Sequence, residues 1–174
     1  MPKTEKKESI IFVHGLESSG EGFKGNFFKK INPDILTPSF EPYQPNLSIS
    51  LLLKKRMQQL ESLLKLHPFW IMIGSSFGGL MATIYALQNP NKVSKMILLA
   101  PALNETRFQK KKITPIDIPV IIFHGKYDNV IARGPTEVLA KKYFTNLEYN
   151  IVDDDHFLHL TVQALDWKQL LGMC

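Results

Sequence analysis

The chain of 174 residues has one cysteine, Cys174. That excludes an intramolecular disulfide and leaves no thiol placed to act as a nucleophile. No set of His, Cys, Asp and Glu has the spacing of metal ligands, so neither a metal nor another cofactor is expected. No apolar run approaches the roughly 20 residues needed to span a bilayer, which argues against integral membrane association. Met1 to Glu8 is charged, with Lys3, Lys6 and Lys7, and reads as a flexible tail. The apolar residues that follow, Ile10 to Val13, are too few for a signal h-region. A cytoplasmic location is therefore expected. There is no internal repeat and no low-complexity segment, and the length suits a single domain over 1–174 with a sizeable core. Nothing in the pattern fixes an oligomeric state.

Composition is ordinary for a globular protein, at 44% hydrophobic and 21% charged. The formal net charge of +5 raises the question of anionic partners. The lysines are dispersed, however, in Lys29-Lys30, Lys54-Lys55-Arg56, Lys110-Lys111-Lys112 and Lys141-Lys142. No RNA-binding signature with interleaved aromatics accompanies them, so no nucleic acid is expected as a partner. A secondary reading is that the basic surface attracts anionic lipid or acyl-carrier substrates.

Short apolar runs alternate with helical periodicity. Ser9 to Val13 reads as a buried parallel strand ending in His14-Gly15. Phe23, Phe27 and Ile31 share one helix face within about Gly22 to Ile31. Ile35 to Pro45, with Pro38, Pro42 and Pro45, predicts a short edge strand and an extended loop. Ser48 is placed to cap a helix carrying Ile49, Leu53, Met57, Leu60 and Leu64, which should end near His67-Pro68. Then follow a strand over Phe69 to Ile73, a helix over Phe77 to Leu87 stopped at Asn89-Pro90, and a strand over Lys95 to Ala100. A lysine-rich connection from Asn104 to Thr114 leads to a strand over Val120 to Phe123. A helix from Pro135 through Phe144, a strand from Leu147 to Val152 and one closing helix over Leu160 to Leu171 complete the pattern. Apolar strands separated by helices predict an α/β fold, a three-layer α/β/α sandwich around a mostly parallel sheet.

The run Ile73-Gly74-Ser75-Ser76-Phe77-Gly78-Gly79 carries the most information. It is a G-x-S-x-G turn between a strand and a helix, the setting in which a serine is held out as a nucleophile. Taken alone, the run also fits a packing turn or a phosphate-binding turn at a helix N-terminus. In an open α/β sheet the functional groups collect at the carboxyl ends of the strands. Asp128, in His124-Gly125-Lys126-Tyr127-Asp128, and His156, in Asp153-Asp154-Asp155-His156, follow two later strands. The chain order is Ser, Asp, His, unlike the orders of the chymotrypsin and subtilisin types. Asp153, Asp154 and Asp155 are alternative acids, more naturally turn formers, and His159 is an alternative base. His14, His67 and His124 read as structural, His14 within its own loop.

With these four motifs in this order, the chain resembles an α/β-hydrolase from Ser9 to Leu171. His14-Gly15-Leu16-Glu17-Ser18-Ser19 is most similar to the small YqiA-like serine esterases. The resemblance implies Ser76 as nucleophile, His156 as base and Asp128 as the orienting carboxylate. It also implies an oxyanion hole from the backbone N–H groups of Leu16 and Phe77. The expected activity is hydrolysis of a small-molecule carboxylic ester with a short to medium acyl group. Thioester hydrolysis, acyl transfer or a silent protein-binding role on the same fold are the alternatives. Against larger members a minimal core without their two N-terminal strands is expected, and Pro101 to about Ile118 reads as too short for a separate cap. An open site is expected, walled by Leu16, Phe77, Leu103, Val130 and Phe157.

Overall fold

The computed structural model describes residues 8–104 and 113–173. The lysine cluster at 110–112 and most of the connection before Thr114 lie outside the described residues. Five strands, β1 (Ser9–Val13), β2 (Trp70–Ser75), β3 (Val93–Leu99), β4 (Val120–Gly125) and β5 (Leu147–Val152), form one sheet in sequential order. Every pairing is parallel. The helices are α1 (Phe23–Ile31), α2 (Ile49–Leu64), α3 (Phe77–Gln88), α4 (Arg133–Tyr143), α5 (His159–Ala164) and α6 (Trp167–Leu171).

Period-two alternation sorts the strand side chains onto two faces, each covered by helices. Ile11, Val13, Trp70, Met72, Met96, Leu98, Val120 and Ile122 join one core with residues of α2, α3 and α4. Phe12, Ile71, Ile73, Ile97, Leu99 and Phe123 join the other with residues of α1, α5 and α6. Phe28 of α1 meets Trp167 of α6 edge to face, with ring centroids 4.7 Å apart, which ties the second helix layer together. The result is the three-layer α/β/α sandwich with a parallel sheet.

The path of the chain creates the crevice. From β1 it runs through α1 to Leu36, which bridges Ile11 in parallel on the outer side of β1. It then returns through α2 to β2 on the other side of β1. The strand order therefore reverses at β1, the place where an open α/β sheet leaves room for a ligand beyond its carboxyl edge.

Element ends differ from the sequence reading where side chains outside the local pattern intervene. Helix α2 stops at Leu64, before His67-Pro68, and the indole N–H of Trp70 donates to the carbonyls of Leu64 and His67 at 2.9 and 3.1 Å. Helix α4 begins at Arg133, two residues before Pro135. The proline falls in the first turn, where its missing N–H has no intrahelical acceptor to lose. The closing helix expected over Leu160 to Leu171 is two helices. Leu165 is extended, with φ −71° and ψ 143°, and the Asp166 carboxylate accepts from Gln169 N–H to cap α6 afresh.

Candidate active site

Ser76 stands between β2 and α3 with φ 51° and ψ −114°, a conformation that strains any residue bearing a Cβ. The turn around it is fixed by backbone bonds. Ser76 N–H donates to Leu99 O at 2.9 Å, and its carbonyl accepts from Gly79 at 2.9 Å and Ala102 at 3.0 Å. The glycines answer a steric need. A Cβ on Gly78 would collide with the Val13 carbonyl, and one on Gly74 would lie 2.8 Å from the Gly78 carbonyl. Strand β1, the elbow and α3 are thereby packed backbone to backbone.

The carboxyl ends of three strands bring Ser76, Asp128 and His156 together. His156 Nε2 is 3.1 Å from Ser76 Oγ, and His156 Nδ1 is 2.7 Å from Asp128 Oδ2. The second oxygen of Asp128 accepts from Val130 N–H at 2.9 Å and Ile131 N–H at 2.8 Å. The Asp128 side chain is fully buried. Burial alone would raise its pKa, but the hydrogen bond from His156 and those from Ile131 and Val130 hold it below the ordinary carboxylate value. An imidazole whose Nδ1–H faces a carboxylate presents a lone pair on Nε2 to the serine hydroxyl.

His124 supports this carboxylate from behind. Its Nε2 lies 3.1 Å from Asp128 Oδ2 and 3.1 Å from the Ile131 carbonyl, and Nδ1 accepts from the Tyr149 hydroxyl at 2.6 Å. Burial lowers the His124 pKa, so the ring acts as a neutral donor to the acid.

The alternative acids and base lie elsewhere. Asp154 accepts from Asp155 N–H through one oxygen and from the Thr161 N–H and hydroxyl through the other. Asp155 accepts from Phe157 N–H, and Asp153 interacts with the Tyr127 hydroxyl. These acids form the turn into α5. The His159 ring packs on Phe23 with centroids 4.1 Å apart and makes no hydrogen bond to Ser76. His67 packs on Trp70.

Leu16 and Phe77 both line the cleft that contains Ser76 and His156. Among the described residues the N–H of neither is bonded to an acceptor. The loop bearing Leu16 presses against the elbow, since a Cβ on Gly15 would lie 3.6 Å from Ser76 Cβ. His14 anchors the loop through its own fold: Nδ1–H donates to the Gly15 carbonyl at 2.8 Å and Nε2 accepts from Phe40 N–H at 3.0 Å. Burial pushes the His14 pKa down to about 4, which keeps the ring neutral in this role.

Arg56 is a residue that the sequence reading grouped with surface lysines. It is fully buried. Its guanidinium donates to the carbonyls of Gly15 at 3.1 Å, Leu16 at 2.8 Å and Glu41 at 2.8 Å, and it sits over the Phe77 ring, 5.5 Å from the centroid. The signal that could have found it is its helical spacing. Arg56 lies four residues after Leu52 and four before Leu60, in the stripe that α2 buries.

The cleft has a volume of about 870 Å³. Leu16, Phe77, Val130 and Phe157 line it as expected, with Phe23, Ile49 and Ile131 in addition. Leu103 does not. It is fully buried within the first core, three residues past Ala100, whose φ is 44°, and packing in that core takes it away from the cleft wall. Among the described residues no cluster of His, Cys, Asp or Glu suits a metal ion, and no helix is long and apolar enough to cross a membrane.

With this fold and geometry in view, comparison with known proteins gives one clear family. The model of the alpha/beta hydrolase fold matches residues 8–110, more than half of the chain, and the chain belongs to that family. Its structure is similar to that of alpha/beta hydrolase domain-containing protein 10 from mouse, at 16% identity and TM-score 0.73, over 98% of this chain and 90% of that one. It is likewise similar to an alpha-beta serine hydrolase homologue from Coxiella burnetii, at 14% identity and TM-score 0.73, over 99% and 88% of the two chains. A third is Est1E from Butyrivibrio proteoclasticus, solved with ferulic acid bound, at 16% identity and TM-score 0.73, over 98% and 92%. At these identities the likeness is one of fold. No curated protein matches the sequence.

Proposed function

We propose that the protein is a serine hydrolase that cleaves carboxylic esters with short to medium acyl groups through an acyl-enzyme on Ser76. The observation that carries this reading is the hydrogen-bonded chain from Ser76 Oγ through His156 to Asp128, opening on a cleft. Ser76 Oγ attacks the ester carbonyl while His156 Nε2 takes its proton. Asp128 keeps the other ring nitrogen protonated and stabilises the imidazolium. The negative charge on the carbonyl oxygen is met by the N–H groups of Leu16 and Phe77. Collapse of the tetrahedral intermediate expels the alcohol, which receives the proton from His156. Water then attacks the acyl-enzyme with His156 as base and frees the acid.

The test is hydrolysis of p-nitrophenyl esters from acetate to palmitate by the wild type, Ser76→Ala and His156→Ala, together with labelling by a fluorophosphonate probe. Turnover that peaks at short or medium chains and vanishes in both variants is the expected result. A wild-type protein that neither turns over an ester nor labels at Ser76 would overturn the reading in favour of a protein-binding role.

A further inference from the structure

Lys24 is a cation in the cleft that the proposed reaction does not use. It belongs to the first turn of α1 and is one of the residues that line the cleft, as are Ser18, Phe23, His159, Ser76 and His156. Among the described residues its ammonium makes no ion pair and no hydrogen bond. Asp154 and Asp155 attract it, but burial is the larger influence and lowers its pKa from 10.5 to about 8. Those carboxylates are committed to the turn before α5, Asp154 through both oxygens and Asp155 through one. Among the described residues that line the cleft the one acid is Glu17, which is exposed to solvent.

The position is unfavourable for a lysine on local grounds. The first turn of a helix is the positive end of its dipole, which favours carboxylates, and α1 has none there. A partly desolvated cation without a partner is costly in addition. Such conflicts between local preference and placement concentrate at functional sites. An anionic group entering the cleft would relieve both, taking the ammonium as its counter-charge and the hydroxyl of Ser18, which lines the same cleft, as a donor. His159, whose pKa burial and the Lys24 charge both lower, adds a neutral ring to the same wall.

We propose that Lys24, with Ser18, forms an anion subsite, so that the substrate is an ester carrying a carboxylate or phosphate in its acyl or its alcohol part. This rests on the hydrolase reading above and narrows it to a substrate class.

Two ester pairs distinguish the acyl side from the alcohol side. One compares the p-nitrophenyl monoester of glutarate with p-nitrophenyl hexanoate. The other compares the hexanoyl ester of 4-hydroxybenzoate with that of 4-hydroxybenzamide. In one pair the ratio of kcat/KM, charged over neutral, should fall about tenfold to a hundredfold in Lys24→Gln, as expected for loss of one charge-assisted contact. It should fall further in Lys24→Glu. Ratios that stay put in both pairs overturn the proposal. A second readout needs no turnover. In Ser76→Ala protein, millimolar glutarate or inorganic phosphate should slow acetylation of Lys24 by N-hydroxysuccinimidyl acetate, followed by mass spectrometry, and no slowing by either overturns the anion subsite. If the wild type cleaves no ester while the anions still protect Lys24, the hydrolase reading fails and the subsite stands.

Discussion

His156 Nδ1 lies 2.7 Å from Asp128 Oδ2, and the opposite oxygen of that carboxylate is held by two backbone N–H groups of its own loop. The carboxylate cannot turn away without breaking those bonds, so the imidazole ring has one orientation and one tautomer in which Nε2 faces Ser76. Asp128→Asn keeps the shape but offers an amide that can donate to Nδ1, which would place the proton on Nε2. The expected loss is about three to four orders of magnitude in kcat, with the fold intact but some loss of thermal stability, because the amide N–H would also face the buried His124 Nε2 that donates to the carboxylate. Single-turnover acylation with p-nitrophenyl butyrate beside a melting curve measures both. Wild-type turnover in this variant would move the acid role to Asp153, Asp154 or Asp155.

Arg56 is bound to three carbonyls, two of them in the loop that carries Leu16. Lysine has one donor head and cannot span the same three acceptors. In Arg56→Lys the loop should remain folded but lose its fixed position, and kcat should drop about tenfold to a hundredfold with little change in KM, because an oxyanion donor acts mainly in the transition state. Arg56→Met leaves buried carbonyls unpaired and should destabilise by about 3–5 kcal/mol. Urea midpoints and steady-state constants separate the two effects. An Arg56→Lys protein of lowered stability and unchanged kcat would make the residue purely structural.

The strands were legible because each is a short apolar run bounded by turn residues. Ser9–Val13 and Leu147–Val152 match their expected bounds. The residues of the Ser, His and Asp chain were legible for a related reason: each lies within a few residues of the end of such a run, and the carboxyl ends of parallel strands meet at one edge. What local pattern could not reveal is what depends on distant partners. The end of α2 depends on Trp70, the break before α6 on Asp166, the burial of Leu103 on the core it joins, and the burial of Arg56 on carbonyls 40 and 41 residues away. Lys24 carries no signal of its own in the sequence, since nothing there says that the first turn of α1 faces the cleft.

The backbone at Ser76 gives a stability prediction. A residue with a Cβ at φ 51° and ψ −114° is strained by about 1–3 kcal/mol, whereas glycine is not, although glycine loses about 0.5–1 kcal/mol through its freer unfolded chain. Ser76→Gly should therefore be more stable than Ser76→Ala by about 1 kcal/mol, and both should be inactive. Chemical denaturation of the two variants side by side is the measurement. Equal midpoints, or a less stable glycine variant, would mean that the elbow is relaxed at this residue.

His14 makes stability depend on pH. Its folded pKa of about 4 lies below the ordinary value of 6.5, chiefly because burial disfavours the charged ring. Above pH 6.5 the ring is neutral in both states and imposes no penalty. As pH falls from 6.5 to about 4, the unfolded chain takes up a proton that the folded one refuses, so stability is progressively lost, by about 3 kcal/mol in all. Protonation would also put a hydrogen on Nε2, which now accepts from Phe40 N–H, and would set a second positive charge beside Arg56. His124, whose pKa burial lowers as well, contributes with the same sign. His14→Gln retains a donor and an acceptor without titrating. Its urea midpoint should fall less steeply than that of the wild type across this window, and parallel pH profiles for the two proteins would remove His14 as the cause.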